Sequence, residues 1–260
     1  MAWLQFRVPA LKQAIGRLNR ELADEFLPIS AGPGAGLVIA GGETNLGYRL
    51  GTTEPDLQAL ILAELRPGAT FYDVGANVGF FTLIAARRVG AKGNVVALEP
   101  APGTVARLRR NVEANNFRNV QVVEAAVGGT VGRATLARGS SSLDARLAHA
   151  GQVGEDVAML TLDHGVGVLG WPPPTLIKLD IEGAEVDALR SMLQVVAAHR
   201  PTLIIEVHWC KEQVLEQLGR LGYRAEPFGD VNLLELSGEG HGHLVARSLQ
   251  TSPRAARIST

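Results

Sequence analysis

The stretch "FYDVGANVGFFTLIAAR", Phe71 to Arg87, decides the fold. Its first residues read as a strand, Gly75 and Gly79 bracket a turn, and an apolar run closed by arginines follows at helical length. Strand, glycine turn and helix in that order are the first unit of a parallel α/β sheet, and ligands bind at such turns. A dinucleotide fingerprint G-x-G-x-x-G starting at Gly75 requires glycine at 77 and a small residue at 80, where the chain has Asn77 and Phe80. A phosphate loop on the same glycine requires Gly-Lys-Ser/Thr from position 80, where the chain reads Phe80, Phe81, Thr82. Both diphosphate readings lack their residues. What remains is an acid at the strand end, Asp73, and two glycines that let a ligand lie on bare backbone. Turns of this kind also serve structure alone, so the ligand has to be argued from other strand ends.

Outward from this unit the alternation continues. "EPDLQALILAELRPG" is a helix before it; "NVVALEP", "PGTVARLRRNVEANN" and "VQVVEAAVG" are strand, helix and strand after it. Three successive β-α units imply a parallel sheet with right-handed crossovers. Beyond a polar interval, Gly128 to Asp156, "VAMLTLDHGV" and "PPPTLIKLDIEG" supply strands, "AEVDALRSMLQVVAAHR" one helix, "PTLIIEVHW" a strand and "KEQVLEQLGRLGY" a helix. The end, "DVNLLELSGEGHGHLVAR", reads as an antiparallel pair whose turn holds His241 and His243. Near the N-terminus, Leu11, Ile15, Leu18, Leu22 and Phe26 mark an amphipathic helix that could pair with a second copy. "GLVIA" and "LGYRL" follow as two strand-like pieces. The division expected is an N-terminal helix and glycine-rich cap over 1–50, a main domain over 51–247 and a loose tail over 248–260. The fold class is a doubly wound α/β sheet.

With 260 residues and 46% hydrophobic composition the chain can bury one large core. Its formal net charge of -1 gives no basic footprint for nucleic acid. The single cysteine, Cys210, excludes a disulfide framework and suits a reducing compartment. There is no apolar signal segment and nothing near the roughly 18 uninterrupted apolar residues of a membrane span, so a cytoplasmic protein is expected.

The second strand ends in Glu99, where a carboxylate can accept both hydroxyls of a ribose. Ribose without diphosphate points to a nucleoside, and S-adenosylmethionine is one whose cationic groups acids can balance. The cofactor-facing set is then Asp73, Gly75, Asn77, Gly79, Phe80, Glu99, Pro100, Ala126 and Asp180. Together "FYDVGANVGFFTLIAAR", "VVALEP", "AAVG", "TLD", "LIKLDIEGAE" and "PTLIIEVHW" resemble the FkbM family of S-adenosylmethionine-dependent methyltransferases. The resemblance covers about Glu54 to Arg247. It implies a class I methyltransferase (Rossmann-like) fold, with a mostly parallel seven-stranded sheet and an antiparallel last strand. It also implies methyl transfer to a hydroxyl of a small metabolite, such as a sugar, glycolipid or polyketide-type natural product. The first 50 residues and the interval from Gly128 to Asp156 match poorly, and there such enzymes commonly read their acceptor. Two alternatives stay open: a nicotinamide-dependent oxidoreductase on a similar fold, and a cofactor-binding partner subunit without catalysis.

Methyl transfer from a sulfonium needs the acceptor oxygen in line with the departing sulfur, and a base adds to that positioning. In "LIKLDIEGAE" the side chains of Lys178, Asp180 and Glu182 share one direction if the strand persists. Lys178, within an apolar run, needs a counter-charge, and Asp180 is the nearest. A structural reading, an ion pair that fixes the next helix, weighs on Lys178 and Glu185. Asp180 and Glu182 fall where donor and acceptor should meet. His208, at the end of "TLIIEVH", has a pKa range that suits a general base, and Glu206 is a weaker candidate. Asp180, Glu182 and His208 would suit magnesium, but no compact ligand motif marks such a site and no metal is assigned.

Overall fold

The computed structural model describes residues 16–17, 22–42, 46–137, 146–147, 153–229 and 241–250. A short antiparallel pair, β1 (Leu27–Pro28) with β2 (Val38–Ile39), leads to α1 (Leu46–Leu50) and α2 (Pro55–Glu64). Then come β3 (Thr70–Val74), α3 (Phe80–Val89), β4 (Asn94–Glu99), α4 (Pro102–Ala114) and β5 (Val120–Glu124). In and around the polar interval lie β6 (Ala126–Val127), β7 (Gly132–Ala137), β8 (Arg146–Leu147) and β9 (Glu155–Leu160), paired as a small sheet in the order β6-β9-β7-β8. After α5 (Leu162–Gly167) the chain returns through β10 (Leu176–Leu179), α6 (Glu185–Arg190), α7 (Leu193–His199), β11 (Thr202–His208) and α8 (Lys211–Arg220). It ends in β12 (Tyr223–Phe228) and β13 (His241–Ser248).

The main sheet has seven strands in the order β12-β13-β11-β10-β3-β4-β5. Neighbours from β11 to β5 are parallel, and the last strand, β13, is antiparallel to both β11 and β12. The class I methyltransferase topology expected from the sequence is therefore the one observed. The chain builds outward from β3 to β5, then crosses to β10 and builds the other way. The switch point lies between β3 and β10, and a crevice opens there at the carboxyl ends.

Strand periodicity sorts the side chains. Phe71, Val95, Ala97, Leu176 and Ile204 enter the core on the face covered by α2, α3 and α4. Tyr72, Val96, Leu98, Ile177 and Ile205 enter the opposite core with α6, α7 and α8. Counting by twos along each strand, Asp73, Glu99, Lys178 and Glu206 all belong to the first face, each near a carboxyl end. The same alternation that builds the core thus gathers the charges over the crevice.

Two asparagines, one in α4 and one at its C-terminal cap, hold the N-terminal pair to this body. Asn111, fully buried, exchanges hydrogen bonds with Ala40 (N to Oδ1, 2.8 Å; Nδ2 to O, 3.1 Å) and donates to Val78 O at 2.8 Å. Asn115 pairs in the same way with the backbone of Val38.

Some elements differ from their sequence reading. "LGYRL" is a helical turn, not a strand: Tyr48 stacks on Phe80 with ring centroids 4.9 Å apart, and Arg49 turns inward to the carbonyls of Leu22 and Glu25. The single helix read from "AEVDALRSMLQVVAAHR" breaks into α6 and α7. Ser191 bonds back to Ala188 O, and the Asp163 carboxylate, from α5, accepts Gln194 N and Val195 N to start a new helix. His241 and His243 lie within β13, not in a turn before it. Most of the N-terminal helix, the serine-rich segment 138–145, residues 230–240 and the tail from 251 lie outside the described residues.

Replacing Asn111 with alanine leaves buried backbone groups of Ala40 and Val78 without partners, so a loss of about 2–3 kcal/mol is expected. Denaturant unfolding checks this; a shift under about 0.5 kcal/mol would mean the tether carries no weight.

Candidate active site

The turn after β3 is shaped by contact with the end of β10. Gly75 has φ +80°, and a Cβ there would lie 1.8 Å from Asp180 O, so only glycine fits. Its N–H and that of Ala76 both donate to Leu98 O at 3.0 Å, which seats the turn between β4 and β10. Asn77 follows in left-handed conformation, and its N–H donates to Glu99 Oε2 at 3.1 Å. The other oxygen, Oε1, accepts Ala101 N at 3.0 Å. Glu99 is thus held by one amide on each side. Burial pushes its acid up to about 7, and the two amides and nearby carboxylates only adjust that.

Over this turn opens a cavity of about 220 Å³. Gly75, Asn77, Phe80, Glu99, Pro100 and Ala126 line it beside the β3 turn, and Lys178, Asp180, Glu182 and Glu206 line it towards β10 and β11. These include all but three of the site residues expected from the sequence. Asp73, Gly79 and His208 stand behind the wall. Gly79 is the N-cap of α3, where a Cβ would meet Leu108 at 2.4 Å. Asp73 is 1% exposed and lies beneath the floor, where it accepts Thr82 Oγ1 at 2.6 Å.

Lys178 stands opposite Asp73 in the β3–β10 register and is 2% exposed. Its ammonium lies 2.9 Å from Asp180 Oδ2, 3.8 Å from Asp73 Oδ1 and 5.4 Å from the Phe81 ring centroid. Burial alone would strip its proton, but the two aspartates outweigh burial and hold it charged. In return, although burial pushes Asp180 up, the Lys178 ammonium holds its carboxyl below the usual range. For Asp73, burial wins over Lys178 and raises the acid.

β10 ends at Leu179, so Asp180 to Gly183 is a turn rather than continued strand. Glu182 has φ +53°, which aims its side chain across the end of β11. There His208 Nε2 lies 3.6 Å from Glu182 Oε2 and 3.6 Å from Glu206 Oε1. Its Nδ1 is 2.8 Å from Oε1 of Glu185, a fully buried carboxylate that also accepts Gly183 N and Cys210 Sγ. Burial pulls the imidazole down, but Glu185 and the other carboxylates raise it to about 9. Burial and the Asp180 charge raise Glu206 to about 7.

Several residues of the site escaped the sequence reading. Tyr48 and Glu54 line the cavity from a helix read as a strand and from the residue before α2. His243 lies opposite Glu206 in the β11–β13 register, with Nε2 3.4 Å from Glu54 Oε2 and 3.7 Å from Glu206 Oε2. Position in one strand of an antiparallel pair is a signal for such a contact only once the register is known.

The strand order, the glycine turn and the carboxylate closing the second strand define a class I methyltransferase domain. A family model described as the methyltransferase FkbM domain matches residues 73–225, more than half of the chain. The chain belongs to this family of S-adenosylmethionine-dependent methyltransferases. It is similar to hexuronic acid methyltransferase AglP of Haloferax volcanii, 27% identical over 157 residues, 60% of this chain and 62% of that protein. It is also similar to Methyltransferase 1 of Beauveria bassiana, 30% identical over 46% of this chain and 57% of that protein. The chain spans 15% to 62% of the length of these and three further curated relatives. Among solved structures, a candidate rRNA methylase of Clostridium thermocellum shares the fold with a TM-score of 0.51 at 10% identity, covering 75% of this chain and 95% of that one. Methyltransferase FkbM from Methylobacillus flagellatus covers 77% of this chain and 52% of that one, at 19% identity and a TM-score of 0.49. Among the described residues no helix is long and apolar enough to cross a membrane.

Replacing Lys178 with methionine keeps the volume but leaves Asp73 and Asp180 with an uncompensated buried charge, so a loss of about 3–5 kcal/mol is expected. Thermal and denaturant unfolding check this; a variant as stable as the parent would show that Lys178 is dispensable to the charge balance.

Proposed function

We propose that this protein transfers a methyl group to a hydroxyl of a small metabolite, a sugar, glycolipid or polyketide-type natural product. The observation that carries the reading is one cavity with Glu99 at one end and the Asp180, Glu182 and Glu206 carboxylates at the other. When bound, S-adenosylmethionine supplies an electrophilic methyl on a cationic sulfur. The chain's own residues fit that ligand. Glu99 has both oxygens fixed by backbone amides and lines the cavity, where its carboxylate can accept ribose hydroxyls. Gly75 and Ala76 present bare backbone, and the carboxylates at the far end complement a cation.

At the acceptor end, Asp180 and Glu182 would orient the hydroxyl, and a cavity carboxylate would take its proton as the oxygen–methyl bond forms and the methyl–sulfur bond breaks, leaving a neutral thioether. Lys178 keeps Asp180 ionised and in place. His208 acts on Glu182 and Glu206 from behind the wall. The cap over 1–50 and the interval from Gly128 to Asp156 flank the cavity through Tyr48 and Leu136, which supports acceptor selection by these segments. The sugar-directed relative AglP supports a glycosidic acceptor. The near-neutral charge supports a small acceptor over nucleic acid, and the lone cysteine supports a cytoplasmic location.

Two outcomes follow. With a panel of neutral glycosides as acceptors, Asp180→Asn, Glu182→Gln and Glu206→Gln should each lower methyl transfer, the proton acceptor among them by about 10²–10⁴-fold. A protein that binds S-adenosylhomocysteine yet methylates nothing in the panel would instead be a cofactor-binding subunit. The second concerns pH. Ribose hydroxyls donate to an ionised Glu99, whose acid stands near 7 in the free protein, so binding must expel a proton below that pH. Affinity for S-adenosylhomocysteine should be flat above about pH 7 and fall by up to tenfold per unit below it. Calorimetry from about pH 5.5 to 8 reads this directly, with Glu99→Gln weak and insensitive to pH. An affinity constant over that range would remove Glu99 from the ribose.

A further inference from the structure

We propose that Asp180, Glu182 and His208 form a binding site for one divalent cation, magnesium or manganese, at the acceptor end of the cavity. One ligand atom from each of the three lies within 4.8 Å of the others. Around a cation bound at about 2.1 Å, adjacent ligands stand about 3 Å apart and opposite ones about 4.2 Å apart. Small side-chain rotations therefore bring all three onto a common centre. Asp180 and Glu182 come from the turn that follows β10, and His208 from the end of the neighbouring parallel strand β11, so the β10–β11 pairing brings them to one rim.

A separate observation concerns the nitrogen. Glu185, with no exposed surface, holds His208 Nδ1 at 2.8 Å and is itself anchored by Gly183 N and Cys210 Sγ. A buried carboxylate on the far nitrogen of an imidazole is the arrangement that orients metal-ligating histidines, keeping the proton on Nδ1 when a cation displaces the one on Nε2. That nitrogen is the one facing Glu182 and Glu206. Glu185 therefore stands as a positioning residue for the third ligand.

Charge and ligand type agree. Around the trio, Glu54 and Glu206 add two more carboxylates to the cavity wall, while Lys178 is shared between Asp180 and Asp73. The two carboxylate oxygens suit magnesium or manganese, the imidazole favours the softer manganese of the two, and three protein ligands leave positions open for other oxygens. Asp180 and Glu182 are on the wall, so those positions face the cavity. Acceptor hydroxyl oxygens could occupy them, which links this inference to the acceptor end of the proposed reaction. Cation binding itself does not depend on the acceptor's identity.

The test is calorimetric titration of chelator-stripped full chain with MnCl₂ and with MgCl₂, followed by S-adenosylhomocysteine on the same sample. One manganese per chain is expected, with a dissociation constant in the range of about 10⁻⁵ to 10⁻³ M. Glu182→Gln, at a partly exposed position, and His208→Gln should each weaken manganese at least about tenfold while affinity for S-adenosylhomocysteine stays within a few-fold. Uptake of neither cation up to about 10 mM by chain that binds S-adenosylhomocysteine would overturn the proposal and leave the trio as an ion-pair cluster. So would manganese binding that both variants retain. Loss of S-adenosylhomocysteine binding by the parent chain would fail the cofactor reading instead, and the manganese isotherm would still decide the cation site.

Discussion

A single buried ammonium joins the two halves of this site. Lys178 sits on β10 opposite Asp73 on β3, and reaches on to Asp180 just past its own strand. A charge in that position is unstable alone, and so are the carboxylates around it. Together they hold β3, whose turn carries Gly75 and Asn77 of the cavity wall, against the turn that carries Asp180 and Glu182. Gly75 completes the joint, because its missing side chain is what lets Asp180 O approach the turn after β3. The Glu99 end and the Asp180 end of the cavity are in this sense one structure.

From that joint the remaining geometry follows by strand alternation. Asp73, Glu99, Lys178 and Glu206 share a face because each is an even number of residues from a core side chain of the same face. The switch point between β3 and β10 then opens the crevice where those side chains end. This much was legible in the sequence: apolar runs marked the parallel strands, and the acids and lysine at their ends stood out against them. The failure of both diphosphate patterns at Asn77 and Phe80 was informative as well, and both residues line the cavity.

What the sequence could not show is what comes together only through packing. Tyr48 lies in a five-residue segment whose alternation fits a strand, yet its ring is drawn into a helical turn by stacking on Phe80. Glu54 has no motif around it, and His243 meets Glu206 only through the register of an antiparallel pair. The break between α6 and α7 depends on Asp163, which caps a helix about thirty residues away in sequence. His208 illustrates the limit most directly. Its type suggested a base of ordinary pKa, but Glu185, Glu206 and Glu182 surround it and raise it to about 9.

The central claim is that one cavity holds the methyl donor with its ribose at Glu99 and its reactive sulfur toward the carboxylates beyond Gly75. A crystal structure of the full chain with S-adenosylhomocysteine tests it most directly. Both ribose hydroxyls should lie within hydrogen-bond reach of Glu99, and the sulfur should face Asp180, Glu182 and Glu206. A nucleoside bound with Glu99 making no contact, or with the sulfur turned away from those three carboxylates, would contradict it.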